Sequence, residues 1–80
     1  MKLERIQEAF KRYGVSRSTG YVMIEDGLFP KPIQIYRRSS AIPDTELDQL
    51  IKARIAGVSD DVIRELVSKI HSDRLLLSEV

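Results

Sequence analysis

Eighty residues, 42% hydrophobic and 31% charged, make one globular unit: half this length could not bury enough apolar surface to offset chain entropy, and the composition is too apolar for disorder. The absence of cysteine and the single histidine, His71, exclude disulfides, thiolate zinc sites and Cys/His nucleophile pairs, so packing alone must hold the chain together. The net charge of +1 conceals an asymmetry, because residues 1–42 carry eight bases against four acids and residues 43–80 carry five against eight, which turns the first half toward an anionic partner.

Leu3, Ile6, Ala9, Phe10 and Tyr13 recur at three- and four-residue spacing, which predicts one face of a helix of about three turns. Glu8 and Arg12 lie one turn apart on its polar side and are expected to pair. Gly14 tolerates positive φ and stops this helix. Ser16 is a good N-cap for a second helix, running through Arg17 to about Asp26 until Gly27 ends it. With only Gly14-Val15 between them, the two helices cannot lie antiparallel in full contact and must cross steeply, the local shape of a helix-turn-helix.

After Gly27, the prolines make Leu28-Phe29-Pro30-Lys31-Pro32 rigid and extended. Ile33-Gln34-Ile35-Tyr36 alternates apolar and polar as a short strand does. Arg37-Arg38-Ser39-Ser40 forms a polar tip, and Ala41-Ile42 returns as a second strand, giving a hairpin with two arginines at its turn. Pro43 closes the hairpin, and Asp44 or Thr45 caps a third helix. Its buried stripe is Leu47, Leu50, Ile51 and Ile55, with Asp48 and Lys52 as a surface pair. Gly57 ends it. Ser59 caps a fourth helix with Asp60 and Asp61 in its first turn and an apolar face of Val62, Ile63, Leu66, Val67 and Ile70, continued by Leu75-Leu76-Leu77. The expected fold is mainly α with a small β-hairpin: a winged helix-turn-helix of four helices plus a two-stranded wing. It is a single domain, with residues 1–57 as the core and 58–80 as a C-terminal helix that packs on the core, mediates self-association, or both.

A helix N-terminus rich in small hydroxyls suits phosphate, since free backbone N–H groups and the positive dipole end point outward there. Ser16, Arg17, Ser18 and Thr19 supply that environment. Tyr21 and Val22, with Arg17 and Ser18, fall on the face expected to point away from the first helix and are candidates for base-edge or methyl contacts in a major groove. Tyr21 equally fits a half-buried core aromatic. Arg37 and Arg38 at the hairpin tip would reach an adjacent backbone or a minor groove, and Lys31 a phosphate.

The run Gly14-Val15-Ser16-Arg17-Ser18-Thr19-Gly20-Tyr21, followed by Glu25-Asp26-Gly27-Leu28-Phe29-Pro30-Lys31-Pro32-Ile33, resembles the core of AlpA-type phage regulators, a group placed with the MerR-like and excisionase-like winged-helix DNA-binding proteins. The resemblance covers roughly residues 5 to 56. It implies a prophage or genomic-island protein that regulates transcription or directs excision by bending DNA. It assigns Ser16, Arg17, Ser18, Thr19 and Tyr21 to the recognition helix and Arg37 and Arg38 to the wing. Two positions depart from the family's pattern: Phe10 stands where a small alanine is usual, and Gly20 where Leu or Ile is usual. In a helix-turn-helix these positions face each other, so the two read as one compensated volume exchange. The family's tryptophan near the end of the second wing strand is also absent, with Pro43 close to its place, which implies a shorter or differently aimed wing.

No phosphate loop, dinucleotide fingerprint or nucleophile constellation is present, so neither catalysis nor a cofactor is expected. His71, with Ser68 and Asp73 near it in sequence, reads as a helix C-terminal histidine, and Asp60-Asp61 as helix-start charges in place of a metal site. The acidic second half and its apolar stripe also fit an adaptor that binds a regulator or recombinase through the C-terminal helix. Expected partners are double-stranded DNA, a second copy in a homodimer or cooperative assembly, and a recombinase or the transcription machinery. No apolar run approaches the ~20 residues of a membrane span, and Met1-Lys2-Leu3-Glu4 does not open a signal peptide, which points to a cytoplasmic, nucleoid-associated protein.

Overall fold

The computed structural model describes residues 1–77. In chain order the elements are β1 (Leu3–Arg5), α1 (Ile6–Tyr13), α2 (Arg17–Glu25), β2 (Ile33–Tyr36), β3 (Ser39–Pro43), α3 (Asp44–Ala56) and α4 (Asp60–Leu77). The mainly helical winged helix-turn-helix expected from the sequence is present, but its sheet has three antiparallel strands in the order β1-β3-β2, not two.

The added strand corrects the expected start of the first helix. Leu3 is half-exposed and lies outside the helical face it was placed on. Residues 3–5 instead pair with the return strand of the wing, Leu3 opposite Pro43, Glu4 opposite Ile42 and Arg5 opposite Ala41. Beyond that register, Asp44 donates its backbone N–H to the Lys2 carbonyl at 2.8 Å, and its carboxylate accepts the Lys2 N–H at 3.0 Å. That N–H, together with the N–H of Thr45, holds the Asp44 carboxyl below its usual range. Pairing across the sheet satisfies several backbone groups at once, whereas one more helical turn on a short helix would add little. A carboxylate used in this way does not cap α3, whose N-cap is Pro43 without a side-chain bond. The return strand is also longer than expected, because Ser39 and Ser40 belong to it and only Arg37 and Arg38 remain as the turn.

The connection between α1 and α2 forms as expected. Gly14 sits in the left-handed region at φ +82°, its N–H reaching the Lys11 carbonyl at 3.1 Å, and the Val15 N–H reaches that of Phe10 at 3.0 Å. A side chain at such a φ would be strained, so glycine belongs there.

The core gathers Ile6, Ala9 and Phe10 from α1, Leu47 and Leu50 from α3, and Ile63, Val67 and Ile70 from α4, with Ile42 from β3, while α2 packs Met23 and Ile24 against its edge. At its centre lies the segment after α2. Phe29 is fully buried, with its ring 5.3 Å from Phe10 and 5.5 Å from Tyr13. Removing a phenylalanine so placed costs about 3–5 kcal/mol. The proline-rich segment is therefore a plug in the core as well as a spacer.

Helix α4 holds that plug from outside. Arg64 Nε donates to the Asp26 carbonyl at the end of α2 (2.9 Å), and the Lys31 N–H donates to His71 Nε2 (3.0 Å). Arg74 makes two bonds, of 2.8 and 2.6 Å, to the buried Glu46 of α3. His71 thus lies inside α4, half-buried against the linker, and not at a helix end. Other expected surface features are repartnered: Arg12 pairs with Glu4 at 3.2 Å and Asp48 at 2.7 Å, leaving Glu8 to Lys11 at 3.4 Å, so neither Glu8–Arg12 nor Asp48–Lys52 forms. Ile55 and Val62 are exposed, as are Leu75, Leu76 and Leu77. Rotation along each helix carries them past the edge of the core-facing stripe.

Candidate nucleic-acid interface

Ser16 has extended backbone angles, and its Oγ accepts the Thr19 N–H at 3.2 Å, the geometry of an N-cap. The same hydroxyl donates to Thr19 Oγ1 at 3.0 Å. All four expected residues at this helix start are exposed, with the Ser16 hydroxyl bonded to Thr19 and 3.5 Å from the Ser18 hydroxyl.

The position of α2 against α1 is set by Phe10. A methyl group on Gly20 would lie 2.4 Å from Phe10 Cε1 and 2.6 Å from Cζ, closer than any side chain tolerates. The large residue of α1 occupies the volume that a side chain on α2 would have filled, as the exchange of sizes predicted. Tyr21 is turned differently from the expected outward face: its ring meets Phe10 edge-on, centroids 5.3 Å apart at 79°, while 40% of the residue stays exposed. On the open side the Arg17 guanidinium lies 5.8 Å from the Tyr21 ring centroid, a cation–π arrangement that holds the arginine over the helix surface.

The exposed residues of α2 are Arg17, Ser18, Thr19, Tyr21, Val22 and Glu25. At 100° per residue, all but Thr19 fall on one stripe. Glu25 was not among the residues expected from sequence. Its signal was its eight-residue spacing from Arg17, and a carboxylate there can accept from a cytosine amino group.

On the wing, Arg37 is the one non-glycine residue with positive φ among those described, at +45°. The Gln34 side-chain amide donates to its carbonyl, and its guanidinium lies 5.1 Å from the Tyr36 ring centroid. The register shifts between Gln34 and Tyr36, leaving Ile35 as the extra residue, a bulge that bends and twists the strand. Tyr36 and Ile35 are both largely exposed beside the arginines.

The arginines divide cleanly. Arg12, Arg54, Arg64 and Arg74 each have an acidic partner within 4.0 Å, whereas Arg5, Arg17, Arg37 and Arg38 have none among the described residues. The paired ones tie α3 and α4 to their neighbours, and the others belong to β1, α2 and the wing tip.

Between α2 and the wing runs α1. Gln7 and Lys11 line a concavity of about 340 Å³ with Ser16 and Arg17, and Gln7 also lines one of about 210 Å³ with Arg5, Arg38, Ser39 and Ser40. Gln7 therefore borders both the concavity at the start of α2 and the one at the wing tip. Lys31 is exposed but lines neither concavity, and its N–H is tied to α4. Among the described residues no group of three His, Cys, Asp or Glu side chains could hold a metal ion, and no helix is long and apolar enough to cross a membrane. The family model of the prophage CP4-57 regulatory protein (AlpA) matches residues 2–55. No curated protein and no solved structure matches the chain.

Proposed function

This chain belongs to the AlpA family of prophage regulatory proteins, and on that premise we propose that it binds double-stranded DNA with α2 in the major groove and the Arg37-Arg38 turn on the adjacent backbone or minor groove. Arg17, Ser18, Tyr21 and Val22 supply the contacts to base edges, and Ser16 and Thr19 fix the start of the helix against the backbone. Lys31 is a peripheral phosphate contact. The bound protein acts as a transcription regulator or as a directionality factor in excision, alongside the transcription machinery or a recombinase.

The observation that carries this reading is the division of the arginines. Exposed guanidinium groups without acidic partners among the described residues, gathered on the recognition helix and the wing, present charge free to meet a polyanion. Titration of a labelled duplex pool along a salt series tests it. Affinity is expected to fall linearly on a double-logarithmic plot, and to fall further for Arg17→Ala and Arg37→Ala. Binding that ignores salt would instead favour an adaptor role for the exposed end of α4, where Leu76 and Leu77 offer apolar surface to a second copy or a recombinase.

A further inference from the structure

We propose that Arg5 and Arg38 form a seat for one DNA backbone phosphate between the recognition helix and the wing, a contact that rests on the DNA-binding reading and adds a site to it. Arg5 ends β1 opposite Ala41, so its neighbours along the facing strand are Ser40 and Ser39. These three residues, with Gln7 and Arg38, surround the concavity of about 210 Å³ described above. Two guanidinium groups, a carboxamide and two hydroxyls all supply hydrogen-bond donors suited to phosphate oxygens, and arginine matches phosphate with two parallel bonds.

The nearby acids are committed elsewhere. Glu4 accepts from Arg12 at 3.2 Å, and Glu8, the one carboxylate that lines the concavity, pairs with Lys11 at 3.4 Å. Arg5 is left exposed, with no acidic partner among the described residues. Gln7 also lines the separate concavity beside Ser16 and Arg17, so the seat neighbours the start of α2 on one side and the wing on the other. A seat between two such elements suits a polymeric phosphodiester better than an isolated anion.

The test compares the full chain with Arg5→Ala, Arg17→Ala and Lys69→Ala by fluorescence anisotropy on a mixed-sequence duplex along a salt series. Lys69, exposed on α4, controls for loss of one positive charge anywhere. Arg5→Ala is expected to lower the salt-dependence slope by about 0.9, the signature of one phosphate, and to weaken binding about tenfold at low salt, equally across sequences. Lys69→Ala should do neither. Arg5→Gln keeps a long side chain over the sheet and carries the same slope test should Arg5→Ala lose its helical circular dichroism. A wild-type slope and wild-type affinity for the Arg5 variants, alongside weakened duplex binding by Arg17→Ala, overturn the seat and leave the DNA-binding reading intact. No duplex binding by the wild type overturns both.

Discussion

Phe10 and Gly20 meet where α2 sits on α1, and that contact can be measured by a double-mutant cycle. Gly20→Ile drives a branched side chain into the ring and should destabilise by about 1–3 kcal/mol, whereas Phe10→Ala leaves a cavity worth about 3–5 kcal/mol. Combined, the two restore the usual arrangement of a small residue on α1 and a large one on α2, so urea denaturation should show a loss at least ~1 kcal/mol smaller than the sum. Additive losses would remove the contact as the explanation of the pair. Arg37 offers a second residue-scale prediction. A left-handed conformation is unfavourable for a residue with a side chain, by about 1 kcal/mol, and Arg37 adopts it at φ +45°. Arg37→Gly is therefore expected to raise stability by up to about 1 kcal/mol in thermal or urea unfolding while weakening duplex binding. Unchanged affinity would count against a DNA contact by this side chain. The size exchange was visible in the sequence because it departs from a family pattern at two positions at once. The strain at Arg37 was not, since nothing in Tyr36-Arg37-Arg38-Ser39 distinguishes a two-residue turn from the four-residue tip that Ser39 and Ser40 suggested.

Helix α4 lies beyond residues 2–55 matched by the family model, yet it reaches both ends of the segment that joins α2 to the wing, through Arg64 at Asp26 and His71 at Lys31. A ring nitrogen that accepts an N–H must be unprotonated. Burial pushes the His71 pKa down, Arg74 and Lys31 push it further down, and Glu46 opposes them. The unfolded chain, titrating near pH 6.5, takes up a proton more readily than the folded one. The stability this histidine contributes is therefore fully present above about pH 6.5 and is lost as pH falls from there through the depressed folded value. Urea midpoints should decline from about pH 7 to about pH 5 in the wild type, with a shallower decline in His71→Gln; equal declines would show that other groups govern the response. Ser59, the acids after it and the spacing of Ile63, Val67 and Ile70 made α4 readable as a capped amphipathic helix. Its polar partners were not readable, because Arg64–Asp26, His71–Lys31 and Arg74–Glu46 join residues 38, 40 and 28 positions apart, and no local periodicity encodes such pairings. The same limit applied to β1, where Leu3 and Ile6 satisfy a helical spacing and only the distant strand decides otherwise.

At the scale of the molecule, the arginines without acidic partners among the described residues all lie in the basic first half, where Arg12 alone is paired, and the three arginines of the acidic second half are all paired. Formal charge could not tell which cations were already neutralised, and so Arg5 was missed. The longest extent, 34 Å, is about one turn of B-DNA, so one copy should protect about ten base pairs. Nuclease footprinting at limiting protein is expected to show that length, and protection growing in steps of similar size with concentration would report cooperative assembly. A first footprint of two turns would mean that the binding unit is already a dimer.

The pairing of β1 with β3 has a bearing on how the protein is made. Residues 3–5 find their partners only at residues 41–43, and Lys2 only at Asp44. During synthesis the strand at the start of the chain must wait for nearly forty further residues before its partner exists, and pairing then closes a long loop. Arg5 and Arg38 are consequently brought together only after β3 has been made. A nascent chain that has just completed α2 does not yet have the surface between α2 and the wing.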